Sequence, residues 1–189
     1  MFKPTLFSLA LCVYSSGAWA AQPHNGECFF AYSAQGGMPA FKAYPPKRLF
    51  DRPKPPRTRT GEARRFRTAI RTGVVAGVNF GGRYTIVGWG CGSSCLDWAL
   101  VDRQTGSVYF DPQYRIVSTV YVDLEQAPHA PGVNDIFNGL RFRQDSTLLI
   151  VQGAPREDEA RDGLTFLQWS GRTFRKVAFV PATELCRQP

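Results

Sequence analysis

The residues best suited to chemistry sit in one short segment, Trp89-Gly90-Cys91-Gly92-Ser93-Ser94-Cys95. A thiolate at Cys91, or a hydroxyl at Ser93 or Ser94, presented on a glycine-flanked turn could attack a carbonyl. Such a nucleophile needs a neighbouring base. Beyond residue 20 the chain has two histidines, His24 and His129, and the second lies in a proline-rich run, Ala127-Pro128-His129-Ala130-Pro131. A bond between Cys91 and Cys95 would abolish the thiolate. The same residues therefore read in two ways, as a hydrolase site using Cys91, Ser93 or Ser94 with His129, or as a disulfide-stapled hairpin loop. The second is the better reading.

Other chemistries find less support. Disulfide oxidoreductases place Cys-x-x-Cys at a helix N-terminus, whereas here three residues separate the cysteines and the surroundings are strand-like. A zinc site would need paired ligands, and Cys28 and Cys186 stand singly. The acidic run Glu157-Asp158-Glu159, followed by Asp162-Gly163, lacks the alternating carboxylates of a calcium loop. No metal and no cofactor are implied.

Compartment follows from the first twenty residues. Lys3 precedes an apolar run from Leu6 to Tyr14, then small residues and Ala18-Trp19-Ala20, the layout of a signal peptide cleaved after Ala20. The run falls well short of the roughly 20 residues a spanning helix needs, and no later segment comes closer, so no transmembrane segment is expected. The chain from Ala21 to Pro189 is expected to be soluble, periplasmic or secreted, and to fold as a single domain. Cys12 leaves with the leader, and Cys28, Cys91, Cys95 and Cys186 remain. An even number in an exported chain favours disulfides. Of the three possible pairings, Cys91 with Cys95 suits the flexible Gly92-Ser93-Ser94 turn, which leaves Cys28 with Cys186.

Charge is regional. Without Lys3 the chain has 22 basic and 15 acidic residues, a net of +7. Between Lys42 and Arg71, eleven Lys or Arg meet only Asp51 and Glu62. Such a tract could meet nucleic acid, but export argues against that partner. A protein or an anionic envelope component is expected instead.

Three stretches carry these features. Residues 21–60 combine a short strand-like run at Cys28–Tyr32 with a proline-rich, basic loop from Pro45 to Thr60. Next, Ala63, Phe66, Ile70 and Val74 recur at helical spacing after Thr60 as N-cap, and Gly73 and Gly77 close the pattern. Arg64, Arg67 and Arg71 form the neighbouring stripe of that helix. The rest of the 61–189 body reads as antiparallel strands near 83–89, 96–102, 107–110, 114–122, 139–143, 147–152, 164–169 and 173–180. Turns are expected at Gln104-Thr105-Gly106, Asp145-Ser146 and Ser170-Gly171. The stretch from Tyr84 to Phe110 matches that from Thr147 to Val177 as two blade-like meanders, too few to close a propeller. The expected fold is mainly β within the α+β class, with two packed or continuous sheets and one amphipathic helix laid across one of them.

The segment Tyr84-Thr85-Ile86-Val87-Gly88-Trp89-Gly90-Cys91-Gly92-Ser93-Ser94-Cys95, with its flanks over residues 61–110, resembles a family of small exported bacterial proteins of unknown function. The resemblance implies export and no particular activity. That family usually carries His where this chain has Arg83.

Arg83, Tyr84 and Trp89 add the residue types that dominate binding hot spots. Together with Arg64, Arg67 and Arg71 they outline an interaction surface. The leading expectation is a binding module, inhibitor- or immunity-like, that occludes a partner through the Trp89–Cys95 loop and the arginine face. A cell-envelope hydrolase and a purely structural envelope protein are the alternatives.

Overall fold

The computed structural model describes residues 37–47, 52–119, 132–137 and 139–185. The Cys28–Tyr32 strand, the Cys28–Cys186 pairing and both His24 and His129 lie outside the described residues. Within these residues two short helices, α1 (Gly61–Arg65) and α2 (Arg67–Gly73), precede nine strands: β1 (Tyr84–Gly92), β2 (Cys95–Asp102), β3 (Val108–Tyr109), β4 (Val117–Ser118), β5 (Asn134–Ile136), β6 (Leu140–Phe142), β7 (Leu148–Pro155), β8 (Gly163–Trp169) and β9 (Phe174–Pro181). A one-turn helix, α3 (Ala182–Leu185), follows.

All pairings are antiparallel and join into one sheet in the order β1-β2-β4-β7-β6-β5, with β3 on β2, β8 on β7 and β9 on β8. The expected meanders are present as β1-β2-β3 and β7-β8-β9. Two-residue β4 is the bridge between them, with Leu96 opposite Val117 and Val117 opposite Pro155. The sheet nearly closes, because β5 returns to β1: Asn134 donates through Nδ2 to the Asn79 carbonyl at 3.3 Å. Asn79 also occupies the free edge of β1, donating to Ile86 O at 3.0 Å and accepting from Ile86 N at 2.8 Å. An edge protected in this way does not recruit other strands.

Strand alternation sorts the side chains into three apolar layers. Tyr84, Ile86, Leu96, Trp98, Leu100, Leu149, Val151, Leu167 and Trp169 face inward and form the main core. The buried Trp98 indole donates to Tyr114 O at 2.9 Å, so its polar edge adds no unsatisfied donor. The opposite face of β1 and β2, with Val87 and Val101, is covered by Ala63, Ile70 and Val74 of the helical segment. Behind β7-β8-β9, Leu148, Ile150, Leu164, Phe166 and Val180 meet Met38, Phe41 and Tyr44. Each large side chain buried in this way contributes about 1.5–3 kcal/mol.

Three expectations need correction. The helix over 61–74 is interrupted at Phe66, which sits at φ −101° and ψ 19°, because Phe66 and Glu62 are drawn toward the sheet, as described below. Thr60 has the extended backbone of an N-cap, but its side chain accepts no capping hydrogen bond. The strand over 114–122 shrinks to Val117–Ser118 within the described residues, because Asp111 accepts from Gln113 N and Tyr114 N and curls the chain just before it. Strand β5 was not anticipated, since Asn134-Asp135-Ile136 offers almost no apolar alternation.

Gly73 is also more than a stop signal. It lies within α2, where a Cβ would fall 2.2 Å from Val87 Cγ1. Gly88 plays the same part at the closure of the sheet, with Ile136 Cγ2 at 2.5 Å from the position of a Cβ. Helix propensity alone would make Gly73→Ala stabilising by about 1 kcal/mol. Overpacking reverses that sign: Gly73→Ala and Gly88→Ala are each expected to lose about 1–3 kcal/mol in urea unfolding. Neutral or stabilising values would show that the helix and β5 sit looser on the sheet.

Candidate functional site

The β1–β2 hairpin ends in Gly92-Ser93-Ser94-Cys95, with Gly92 paired to Cys95 and Ser94 at φ 50°. A disulfide links Cys91 to Cys95, with Cα atoms 5.1 Å apart. The tip residues from Gly90 to Ser94 are exposed. By the loop-entropy argument, a ring this short stabilises by about 2 kcal/mol, and it holds the tip in one shape. No thiolate is present at Cys91 in this state. Ser93 and Ser94 stand in solvent at the tip, and His129 lies outside the described residues, so the nucleophile-base pair weighed from the sequence has no described geometry.

Beneath the tip, Trp89 leaves β1 on the helix-covered face and stacks on Phe66 at 4.7 Å, with planes 28° apart. Phe110 closes the cluster at 6.1 Å from Phe66 and 6.5 Å from Trp89. Arg115 is set among these rings, its guanidinium 4.8 Å from the Phe110 centroid and 5.7 Å from that of Phe66. It grips Asp97 of β2 in a fork, Nε to Oδ1 at 2.9 Å and Nη2 to Oδ2 at 2.5 Å, and its Nη1 donates to Glu62 of α1. Burial alone would push this guanidinium down. Hydrogen bonds and charge from Asp97 and Glu62 outweigh burial and hold it above the usual arginine range.

Glu62, Phe66, Trp89, Asp97 and Arg115 line an open cleft of about 850 Å³ that also takes in Arg65, Cys91, Ile116, Arg156 and Glu157. Three of its residues have left-handed backbones: Ile116 at φ 57°, Arg156 at 62° and Glu157 at 58°. Glycine usually fills such positions, and for a β-branched residue such as Ile116 the conformation is strained by about 1–2 kcal/mol. Arg156 N donates to Ile116 O at 2.7 Å, which locks the two strained segments together. Of the five non-glycine residues at positive φ among the described residues, three line this cleft and a fourth, Ser94, is in the hairpin tip beside it. Strain of this kind gathers at functional sites. The indole N–H of Trp89 is buried without a hydrogen-bond partner among the described residues.

The residues singled out from sequence do not form one patch. Arg64, on the helix that borders the cleft, and Arg67 and Arg71, on the next helix, are exposed, with Arg71 Nε donating to Thr58 Oγ1 at 3.1 Å. Trp89 lies in the cleft. Tyr84 lies five positions earlier, about 17 Å along an extended strand, and belongs to the inward core rather than the helix-covered face. Its neighbour Arg83 bonds Asp102 and Gln104 at that far end, both at 2.6 Å. Sequence reasoning missed Asp97, Arg115, Ile116 and Arg156. One signal was present: Asp97 and Asp102 are acids within the otherwise apolar Cys95–Asp102 strand, and a buried carboxylate demands a cation. The acidic loop at Glu157–Glu159 forms a turn in which Asp158 Oδ1 accepts from Ala160 N at 3.1 Å, and no metal-holding cluster occurs among the described residues.

Removing one member of a buried ion pair strands the other. Asp97→Ala and Arg115→Ala are each expected to destabilise by about 3–5 kcal/mol in urea unfolding, while the double replacement Asp97→Leu with Arg115→Met recovers most of the loss. Single replacements below about 1 kcal/mol would show that the pair does not organise the cleft.

Comparison with known proteins finds no match: no family model, no curated protein and no solved structure is similar enough to lend this chain a function.

Proposed function

We propose that the protein is an exported binding module, periplasmic or secreted, that engages a protein or an anionic envelope component. Contact is made through the cleft beneath the Cys91–Cys95 hairpin and the adjoining arginine face. The observation that carries the reading is the coincidence in one cleft of a stacked Phe66–Trp89 pair, a ring-flanked arginine and three strained residues. Stacked aromatics and arginine are the residue types from which interface hot spots are made. A strained backbone kept against its own conformational preference is a pre-shaped surface, and pre-shaping lowers the ordering penalty on binding. Arg64, Arg67 and Arg71 add a field that favours a partner of negative charge and speeds its approach.

The test places a photo-crosslinking amino acid at Ile116, on the cleft rim and 38% exposed, or at Val177 on β9, equally exposed but on another element. With the protein expressed in its native cell, a discrete adduct is expected from position 116 and none from 177. The adducted chain should begin at Ala21 by intact mass. Reversing Arg64, Arg67 and Arg71 to Glu should reduce the adduct roughly tenfold at low salt. Equal labelling from both positions, or none from 116, overturns the reading.

A further inference from the structure

A second cleft, of about 570 Å³, opens at the other end of the β1–β2 ladder, where Tyr84 pairs with Asp102. This volume lies within the usual range of small-ligand sites. Lys47, Arg83, Tyr84, Thr147, Gln168 and Trp169 line it, and none of the described residues that line it is acidic. Asp102, which neutralises Arg83, is only 1% exposed and does not line the cleft.

Two features give the cleft a chemical preference. The first is a surplus of donors. Trp169 is 5% exposed, and its indole N–H has no partner among the described residues. Arg83 uses Nη1 on Gln104 and Nη2 on Asp102, while its Nε is buried and has no hydrogen-bond partner among the described residues. Buried donors without acceptors are rare in folded proteins. The second is an aromatic floor. Tyr84 and Trp169 meet edge to face at 5.6 Å, and the Arg83 guanidinium lies 5.0 Å from the Tyr84 centroid. Unused donors beside the Lys47 cation favour an anion, and an aromatic lining favours a flat apolar body.

We propose that this cleft binds a small ring-bearing carboxylate, whose carboxylate meets Lys47, Arg83 and the Trp169 indole while its ring lies against Tyr84 and Trp169. The site is separate from the hairpin cleft and stands or falls independently of it.

The mature chain from Ala21 retains three tryptophans, which report separately: Trp169 in this cleft, Trp89 in the other, and Trp98 in the core with its N–H bonded to Tyr114 O. Benzoate is titrated into the nitrogen-15-labelled mature protein and the indole N–H signals are followed, with Trp169 assigned by Trp169→Phe. A saturable shift of the Trp169 signal is expected, with Trp89 and Trp98 unmoved. Lys47→Ala, at an exposed position, should weaken the midpoint roughly fivefold while the Trp98 signal confirms an intact core. Benzyl alcohol, a ring without charge, and inorganic phosphate, a charge without a ring, should leave Trp169 in place. The inference is overturned if benzoate at tens of millimolar does not move Trp169, if either control moves it equally, or if Lys47→Ala leaves the midpoint unchanged.

Discussion

The Arg115–Asp97 pair is the contact on which the architecture around the hairpin depends. Taking either charge out of water costs several kcal/mol, and the fold recovers it by supplying everything the two groups require. Asp97 receives a two-pronged grip, and the guanidinium faces are covered by Phe66 and Phe110. The third arm reaches Glu62. One side chain thereby ties together α1, β2 and the segment leading into β4. The interruption of the helix at Phe66 and the left-handed turn at Ile116 both follow from bringing these parts to a single point. A straight helix and an extended 114–122 strand would carry Glu62, Phe66 and Arg115 apart.

Strand β2 repeats the device at its other end. Asp102 holds Arg83 through one contact where Asp97 holds Arg115 through two, and the five-residue interval is odd, so the two acids project from opposite faces of the sheet. Each pair stands beside one cleft. The hairpin ladder between them is the longest in the sheet and carries the disulfide at its tip. The two clefts therefore share a rigid support and differ in charge: three acids and three arginines line the first, whereas among the described residues lining the second the charged ones are Lys47 and Arg83.

Most of the sheet was legible in sequence, since β1, β2, β7, β8 and β9 are long and rich in Val, Ile, Leu and aromatics, and Gly marks the turn in the β8–β9 hairpin and the tip of the β1–β2 hairpin. Local preference and tertiary pairing agree there, so pattern alone suffices. The short strands β4 and β5 are different. Val117-Ser118 and Asn134-Asp135-Ile136 have no periodicity to read, and they are strands only because partners wait on either side of β4 and along one side of β5. The Cys91–Cys95 link could be read because a three-residue spacer nearly determines its own geometry. Glu62, Asp97 and Arg115 could not, as Arg115 lies 18 residues from one partner and 53 from the other. A pairing over such separations is a property of the fold.

That difference bears on what the chain can do. The cysteines, serines and histidines that first suggest catalysis are local features, and the structure turns the cysteine pair into a staple at an exposed tip. What the fold builds at long range is instead two shaped surfaces, each with a salt-bridged arginine at its base and aromatic rings beside it. Long-range construction is expensive in loop-closure entropy and in buried charge, and a bare scaffold of this size could be closed with apolar residues alone. Two buried acids in one strand, one answered by an arginine between Phe66 and Phe110 and the other by an arginine over Tyr84, give fixed orientation to side chains that would otherwise move freely. Fixed donors and rings are what recognition requires, and this long-range construction is what supports the proposed binding role.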